Sequence, residues 1–292
     1  MTLLHEQHAV PATPPLLSGW FLALELTGRC QLACAHCYAE SGPTGDHGVM
    51  SLADWRDLLT DARALGVTRV QFIGGEPTLH PNFEEILRHA IDAGQTVEIF
   101  TNLYRVRDTW WDLFARPGVS LATSYYSDRP AEHARITGRP DGHGRTRANI
   151  IRAVNLSIPM RASIVEILDG QRVEEARTQL AALGVTRVRV DHLRGIGRGA
   201  RDRPDVSQLC GRCGQRQFAV SAQGDVTPCV MSRWITAGNL RDRSLAEILT
   251  GETWQGAVAQ VSRRAGSGCN PGSDSDDCAP ASTEVCNPAY DD

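Results

Sequence analysis

A chain of 292 residues with ordinary apolar content and a formal charge of −4 can bury one large core plus a small appendage. That balance excludes disorder as the default state and leaves no cationic footprint for nucleic acid. No apolar run reaches the length of a membrane span, and residues 1–15 lack the basic start and apolar centre of a secretion signal, so a cytoplasmic protein without membrane or nucleic-acid partners is expected.

All 30 basic residues are arginine, which rules out lysine Schiff-base or lysine general-base chemistry. Nine cysteines in a reducing compartment read as metal ligands rather than disulfides, and an odd number cannot pair completely. They fall into three groups: Cys30, Cys34 and Cys37; Cys210, Cys213 and Cys229; and Cys269, Cys278 and Cys286.

Taken in order, residues 21–26 (FLALEL) read as a strand that runs straight into the first cysteine group. Ser51 with Asp54 three positions on marks a helix start, and the apolar period continues to Leu65 before Gly66 stops it. Residues 69–73 form a second strand, ending in Gly74-Gly75-Glu76-Pro77. A helix from about Asn82 to Ala93 closes at Gly94. A third strand, Val97 to Phe100, ends in Thr101-Asn102. Strands at Val119–Ser124, Arg161–Glu166 and Arg187–Asp191 follow, with a clear helical period at 171–183. Alternation of this kind means parallel β/α units.

The heptapeptide ALGVTRV occurs at 64–70 and again at 182–188, each time spanning a helix end, a glycine cap and the next strand. Six such units predict an α/β fold, a partial (β/α)6 TIM-like barrel whose reactive face lies at the carboxyl ends of its strands. Beyond Gly195 the chain turns Gly- and Arg-rich and the cysteines return, which divides it into a tail (1–18), a barrel (19–204) and a small cysteine-rich domain (205–292). The stretch from Cys269 to Cys286 has turn residues but no apolar period, so metal ligation would have to hold it.

C30-x3-C34-x2-C37 packs three thiolates into eight residues and leaves a four-coordinate metal one ligand short. A 4Fe–4S cluster held by three cysteines keeps one iron open to a ligand that is not protein. The competing reading is a zinc knuckle completed by His36 or a distant cysteine, although His36 would have to reach backwards from between the ligands. Gly-Gly-Glu-Pro alone is an ordinary turn; at a strand end beside a cluster motif it is more than that.

The triplet with His36 as its aromatic position, followed by G74-G-E-P77 after the next strand, resembles the radical S-adenosylmethionine (SAM) superfamily over about residues 20–250. The resemblance implies an enzyme in which a SAM-binding 4Fe–4S cluster reductively cleaves SAM to a 5′-deoxyadenosyl radical that takes hydrogen from substrate. It assigns the cluster to Cys30, Cys34 and Cys37. It assigns SAM to Gly74, Gly75, Glu76 (near the amino group), Pro77, His36, Asn102 and Ser124. The two glycines are expected to let the backbone approach the ligand.

C210-x2-C213, then G224-x4-C229 and a helical S244-L-A-E-I-L, resemble the start of a SPASM domain, which carries auxiliary 4Fe–4S clusters. The dense cysteine run that completes such a domain is missing, and Cys269, Cys278 and Cys286 stand widely spaced in its place. At least one auxiliary 4Fe–4S cluster, of a shortened twitch-like kind, is expected from these six cysteines; a structural zinc site competes at C210-x2-C213. Arg187, Arg189, Arg194, Arg198, Arg201 and Arg203 gather near the sixth strand end, either to hold a carboxylate of substrate or SAM or as a solvated face.

The resemblance to SPASM enzymes points to a peptide maturase that installs a cross-link or related C–H functionalisation in a ribosomally made precursor peptide. An epimerase or dehydrogenase of a sugar or aminoglycoside is the alternative, and a non-catalytic zinc-binding interaction module a third. Partners expected are the peptide or small-molecule substrate and an external electron donor such as flavodoxin or ferredoxin. Because only about twenty residues precede the barrel, a separate protein is expected to supply any peptide recognition.

Overall fold

The computed structural model describes residues 16–201 and 203–261. Nine strands make one sheet: β1 Phe21–Glu25, β2 Arg69–Ile73, β3 Thr96–Phe100, β4 Val119–Ser124, β5 Met160–Glu166, β6 Val188–His192, β7 Gln217–Val220, β8 Asp225–Thr227 and β9 Gly238–Asn239. Their spatial order is β6-β5-β4-β3-β2-β1-β7-β8-β9. The first six run parallel, as the alternation of strands and helices requires.

Connecting helices are α1 Leu52–Ala64, α2 Phe83–Asp92, α3 Trp111–Phe114, α4 Pro130–Thr137, α5 Gly142–Asn155 and α6 Val173–Ala182. Two more, α7 Leu245–Thr250 and α8 Glu252–Ala259, follow the sheet. Two helices rather than one join β4 to β5, broken at Gly138, whose φ of 70° ends α4. Among the described residues no helix is long and apolar enough to cross a membrane.

β1 shows why the sequence selects this sheet. Its side chains alternate faces. Leu22 and Leu24 join the large core with Trp55, Phe72 and Phe83, whereas Phe21 and Ala23 join a smaller cluster with Ile73, Ala219 and Val230. Both faces are covered, so the strand reads as an apolar run.

The capping box at Ser51 and Asp54 starts α1 as its sequence predicts, and the repeated heptapeptide builds the same turn twice. Gly66 and Gly184 sit at φ 102° and 94°. Each time the next valine reaches back into the helix, Val67 N–H to Ala62 O at 2.9 Å and Val185 N–H to Leu180 O at 3.0 Å. This hydrogen-bonded reversal needs a residue with positive φ, and glycine supplies it.

Residue 204 falls in the connection between β6 and β7, but the sheet does not stop there. β7 returns to pair parallel with β1, Phe21 opposite Gln217 and Leu24 opposite Val220, and the β7–β8 hairpin carries the sheet onward. The apolar β7 covers an edge of β1 that would otherwise present unpaired backbone groups.

Leu24 is fully buried at the middle of the sheet, so Leu24→Ala is expected to cost about 2–5 kcal/mol of unfolding free energy, read as a lower denaturant midpoint at unchanged slope.

Candidate functional site

The loop between β1 and α1 is pinned by its backbone on several sides. Cys30 N–H donates to Gly42 O (2.9 Å), while Ala33 and Ala35 N–H donate to Thr137 O and Ile136 O (both 3.0 Å). Those acceptors end α4, where carbonyls have no intrahelical donor left. From the β2 side, Gly75 N–H donates to Thr27 O (2.7 Å) and Glu76 N–H to Arg29 O (2.8 Å).

The glycines of the β2 turn therefore answer to the loop. A Cβ on Gly75 would lie 2.3 Å from Arg29 O, and one on Gly74, at φ 131°, 2.5 Å from Thr27 O. Close approach of two backbones excludes any larger residue at either position, whatever the ligand requires in addition.

Within the protein Glu76 has four hydrogen-bond donors. It is fully buried, and its carboxylate accepts from Thr78 Oγ1 (2.6 Å), Thr101 Oγ1 (2.8 Å) and the N–H groups of Thr78 (3.2 Å) and Asn102 (2.8 Å). Burial pushes its carboxyl up in pKa and those hydrogen bonds pull it back. Pro77 is buried too, opening a 3-10 turn to Leu79. Neither lines the cavity; Glu76 acts on it by fixing the backbone of Asn102.

Cys30, Cys34, Cys37, His36, Gly74, Gly75, Asn102 and Ser124 share one cavity of about 180 Å³ at the carboxyl ends of the strands. Asn102 Nδ2 donates to Cys30 Sγ at 3.5 Å, and Leu32 N–H donates to the same sulfur at 3.4 Å. Burial pushes the Cys34 thiol up to about 12, helped by Cys37 beside it, and raises Cys30 further. As free thiols these groups stay protonated; a metal cluster is the partner that makes them thiolates.

Among the described residues no three His, Cys, Asp or Glu side chains close on a point that one ion could fill. Three thiols around a cavity suit a cubane instead, each on its own iron. The donor set thus fits a cluster with one open iron, beside Asn102, Ser124, His36 and the Gly74-Gly75 backbone as residues that could hold SAM. His36 Nε2 lies 3.1 Å from Tyr126 Oη, and its Nδ1 is buried with no partner. Burial, reinforced by the Arg198 charge, pushes His36 down to about 4, so the ring is neutral.

The rest of the cavity is two-sided. Ile73, Phe100, Val230 and Met231 form an apolar wall, and Gln71, Ser163 and Asp191 a polar one. Beneath the polar wall Arg161 grips Glu98 with two hydrogen bonds (2.8 and 2.7 Å), and Gln71 Nε2 donates to the same carboxylate at 2.5 Å. Among the described residues Gln71 Oε1 is a buried acceptor without a partner. A His133 ring with two unpartnered nitrogens also reaches the cavity. Single polar positions in strands carry no spacing; the charges inside the apolar runs at Glu25 and Glu98 are visible in the sequence, but their partners, Arg233 and Arg161, are not.

Two arginines of the stretch after β6 are committed to partners within the protein. Arg194 is buried against Asp191 (3.2 Å), and Arg198 bonds backbone carbonyls of the cysteine loop.

Cys210, Cys213 and Cys229 come together, all buried, with the sulfurs of Cys213 and Cys229 3.0 Å apart. Gly211 and Gly214 follow their cysteines at φ 77° and 74°, and Gly214 N–H donates to Pro228 O (2.9 Å), tying the first pair to the third cysteine. Hydrogen bonding to Cys229 and burial hold the Cys213 thiol well above its ordinary range. Val230 and Met231, directly after Cys229, line the main cavity, so the segment that carries the second cysteine group reaches it. Cys269, Cys278 and Cys286 lie outside the described residues.

The profile of the radical SAM superfamily matches residues 24–178, and that of an iron–sulfur cluster-binding domain (SPASM) matches 210–275. The PqqA peptide cyclase of Xanthomonas euvesicatoria pv. vesicatoria is 30% identical over 279 residues, spanning 80% of this chain and 74% of that protein. The PqqA peptide cyclase of Rhodopseudomonas palustris is 26% identical over 281 residues, 81% and 73% of the two chains. Among solved structures, Streptococcus suis SuiB bound to precursor peptide SuiA superposes with a TM-score of 0.67 at 17% identity, covering 83% of this chain and 66% of that one. The enzyme anSMEcpe with bound AdoMet and Cp18Cys peptide gives 0.62 at 14% identity, with 82% of each chain covered. At those identities the shared property is the fold.

Gly75→Ala is expected to abolish stoichiometric iron uptake at the first cysteine group, because its Cβ would push Arg29 away. Gly144→Ala on α5, with open space around it, should take up iron as the parent does. Iron and sulfide assay after anaerobic reconstitution reads both.

Proposed function

The chain belongs to the radical SAM superfamily, and on that premise we propose that it modifies a ribosomally made precursor peptide in the cytoplasm, by a cross-link or related C–H functionalisation. Its cofactors are a SAM-binding 4Fe–4S cluster, SAM, and the iron–sulfur centre of the SPASM domain. Once bound, these supply a hydrogen-abstracting 5′-deoxyadenosyl radical and a place for the second electron that an oxidised product gives up.

The observation that carries this reading is the make-up of one cavity: the first cysteine group lines it, and Val230 and Met231, directly after Cys229 of the second group, form part of its apolar wall. A cross-link removes two hydrogens from the peptide, so a second redox centre beside the reaction site serves it directly. The relatives named as PqqA peptide cyclases, aligned over four fifths of the chain, support the same substrate class.

The chain's own residues then bind and orient. Asn102, held through its N–H by Glu76, and Ser124 present polar groups to SAM at the strand ends. Gln71, locked by Glu98 and Arg161, offers a fixed acceptor suited to an amide N–H. Phe100, Val230 and Met231 keep water from the reacting carbon. An external flavodoxin or ferredoxin supplies electrons, and a separate protein delivers the peptide.

The test combines the reconstituted chain, SAM, dithionite and a synthetic PqqA peptide, the substrate named for its relatives. The expected outcome is 5′-deoxyadenosine together with a peptide two hydrogens lighter. An unchanged peptide mass alongside a sugar product that acquires solvent deuterium would replace the peptide reading with the epimerase one.

A further inference from the structure

Arg198 stands where the chain leaves β6 and meets the loop that leaves β1. Its Nε donates to Cys34 O (2.8 Å), its Nη2 to Ser41 O (2.8 Å) and its backbone N–H to Cys37 O (3.0 Å). Gly197, at φ 55°, makes the contact possible, since a Cβ there would lie 2.4 Å from Tyr38 O and 2.5 Å from Cys37 O. Two adjacent residues thus strap the end of β6 onto the second and third cysteines.

The charge of this strap differs from that of its neighbours. Arg194 is matched by Asp191, and Arg233 by Glu25. The guanidinium hydrogen bonds of Arg198 go to carbonyls and, among the described residues, to no carboxylate. Its charge stands at the site: Arg198 lines the same cavity as Cys34, His36 and Cys37.

We infer that Arg198 is a positioning residue for the SAM-binding cluster, fixing the loop from Cys34 to Ser41 and making that cluster easier to reduce through its positive charge. A reduced cluster carries one more negative charge than an oxidised one, so a nearby cation favours reduction. Net charge and hydrogen bonding around the sulfurs are the levers by which a protein sets such potentials. Arg198 is exposed at the cavity rim, so water screens part of its charge and the effect is a few-fold. The inference rests on the family's cluster and not on the peptide substrate, so no peptide enters its test.

Full-length chain carrying Arg198→Met or Arg198→Lys is reconstituted anaerobically and titrated with dithionite. The reduced signal that changes on adding SAM is followed by electron paramagnetic resonance. Arg198→Met should lower the equilibrium constant for reduction at least about threefold, ~28 mV more negative at 59 mV per decade for one electron. Arg198→Lys, which keeps the charge but loses the two-pronged grip, should stay near the parent potential while amides of residues 33–41 exchange faster. Loss of iron from the methionine variant but not the lysine variant also supports the charge. An unchanged potential in Arg198→Met, or equal shifts or equal iron loss in both variants, overturns it.

Discussion

Three thiolates can grip a cluster and leave one iron open only if the loop that carries them has its shape set by something other than the metal. Here that shape is imposed by backbone hydrogen bonds from three directions: the Gly-Gly-Glu turn of β2, the last carbonyls of α4, and the Gly197-Arg198 strap after β6. The sheet brings those three places to one end, and the cavity is the space they leave. The fixed geometry of the thiols and the position of Asn102 beside them depend on it.

Much of this was legible in the sequence, and the legible part has a physical common factor. Strands and helices announced themselves by apolar period, and the glycine caps at Gly66 and Gly184 by a backbone conformation few other residues adopt. The cysteine triplet and the glycine turn were visible because metal ligation and close backbone approach tolerate few substitutes. The docking of Ala33 and Ala35 on α4 was invisible, since an amide and a carbonyl belong to every residue and leave no trace in side-chain identity.

Polar side chains were read least well, for a related reason. Glu76 sits in a recognisable motif, but its four hydrogen bonds to Thr78, Thr101 and Asn102 leave no mark in that motif. The arginines near β6 look alike in sequence and differ in the fold: Arg194 neutralises a buried carboxylate, while Arg198 grips the cysteine loop. Which neighbour an arginine meets is decided by topology, and topology is what a local pattern lacks. Gln71, Glu98 and Arg161 make the same point, standing on three strands and forming one network only where the sheet lines them up.

The pairing of β7 with β1 also governs the order in which this protein can be made. β1 emerges during synthesis before β2 to β6, and the strand that covers its far edge arrives only after all of them have been translated. Until then the edge next to the cysteine loop stays open and prone to mispairing, a contact between distant parts of the chain that slows folding. The nascent protein therefore passes through a stage in which its first thiols are already exposed and its second cysteine group does not yet exist. Metal delivery that waits for the finished sheet would meet both sites in their folded form.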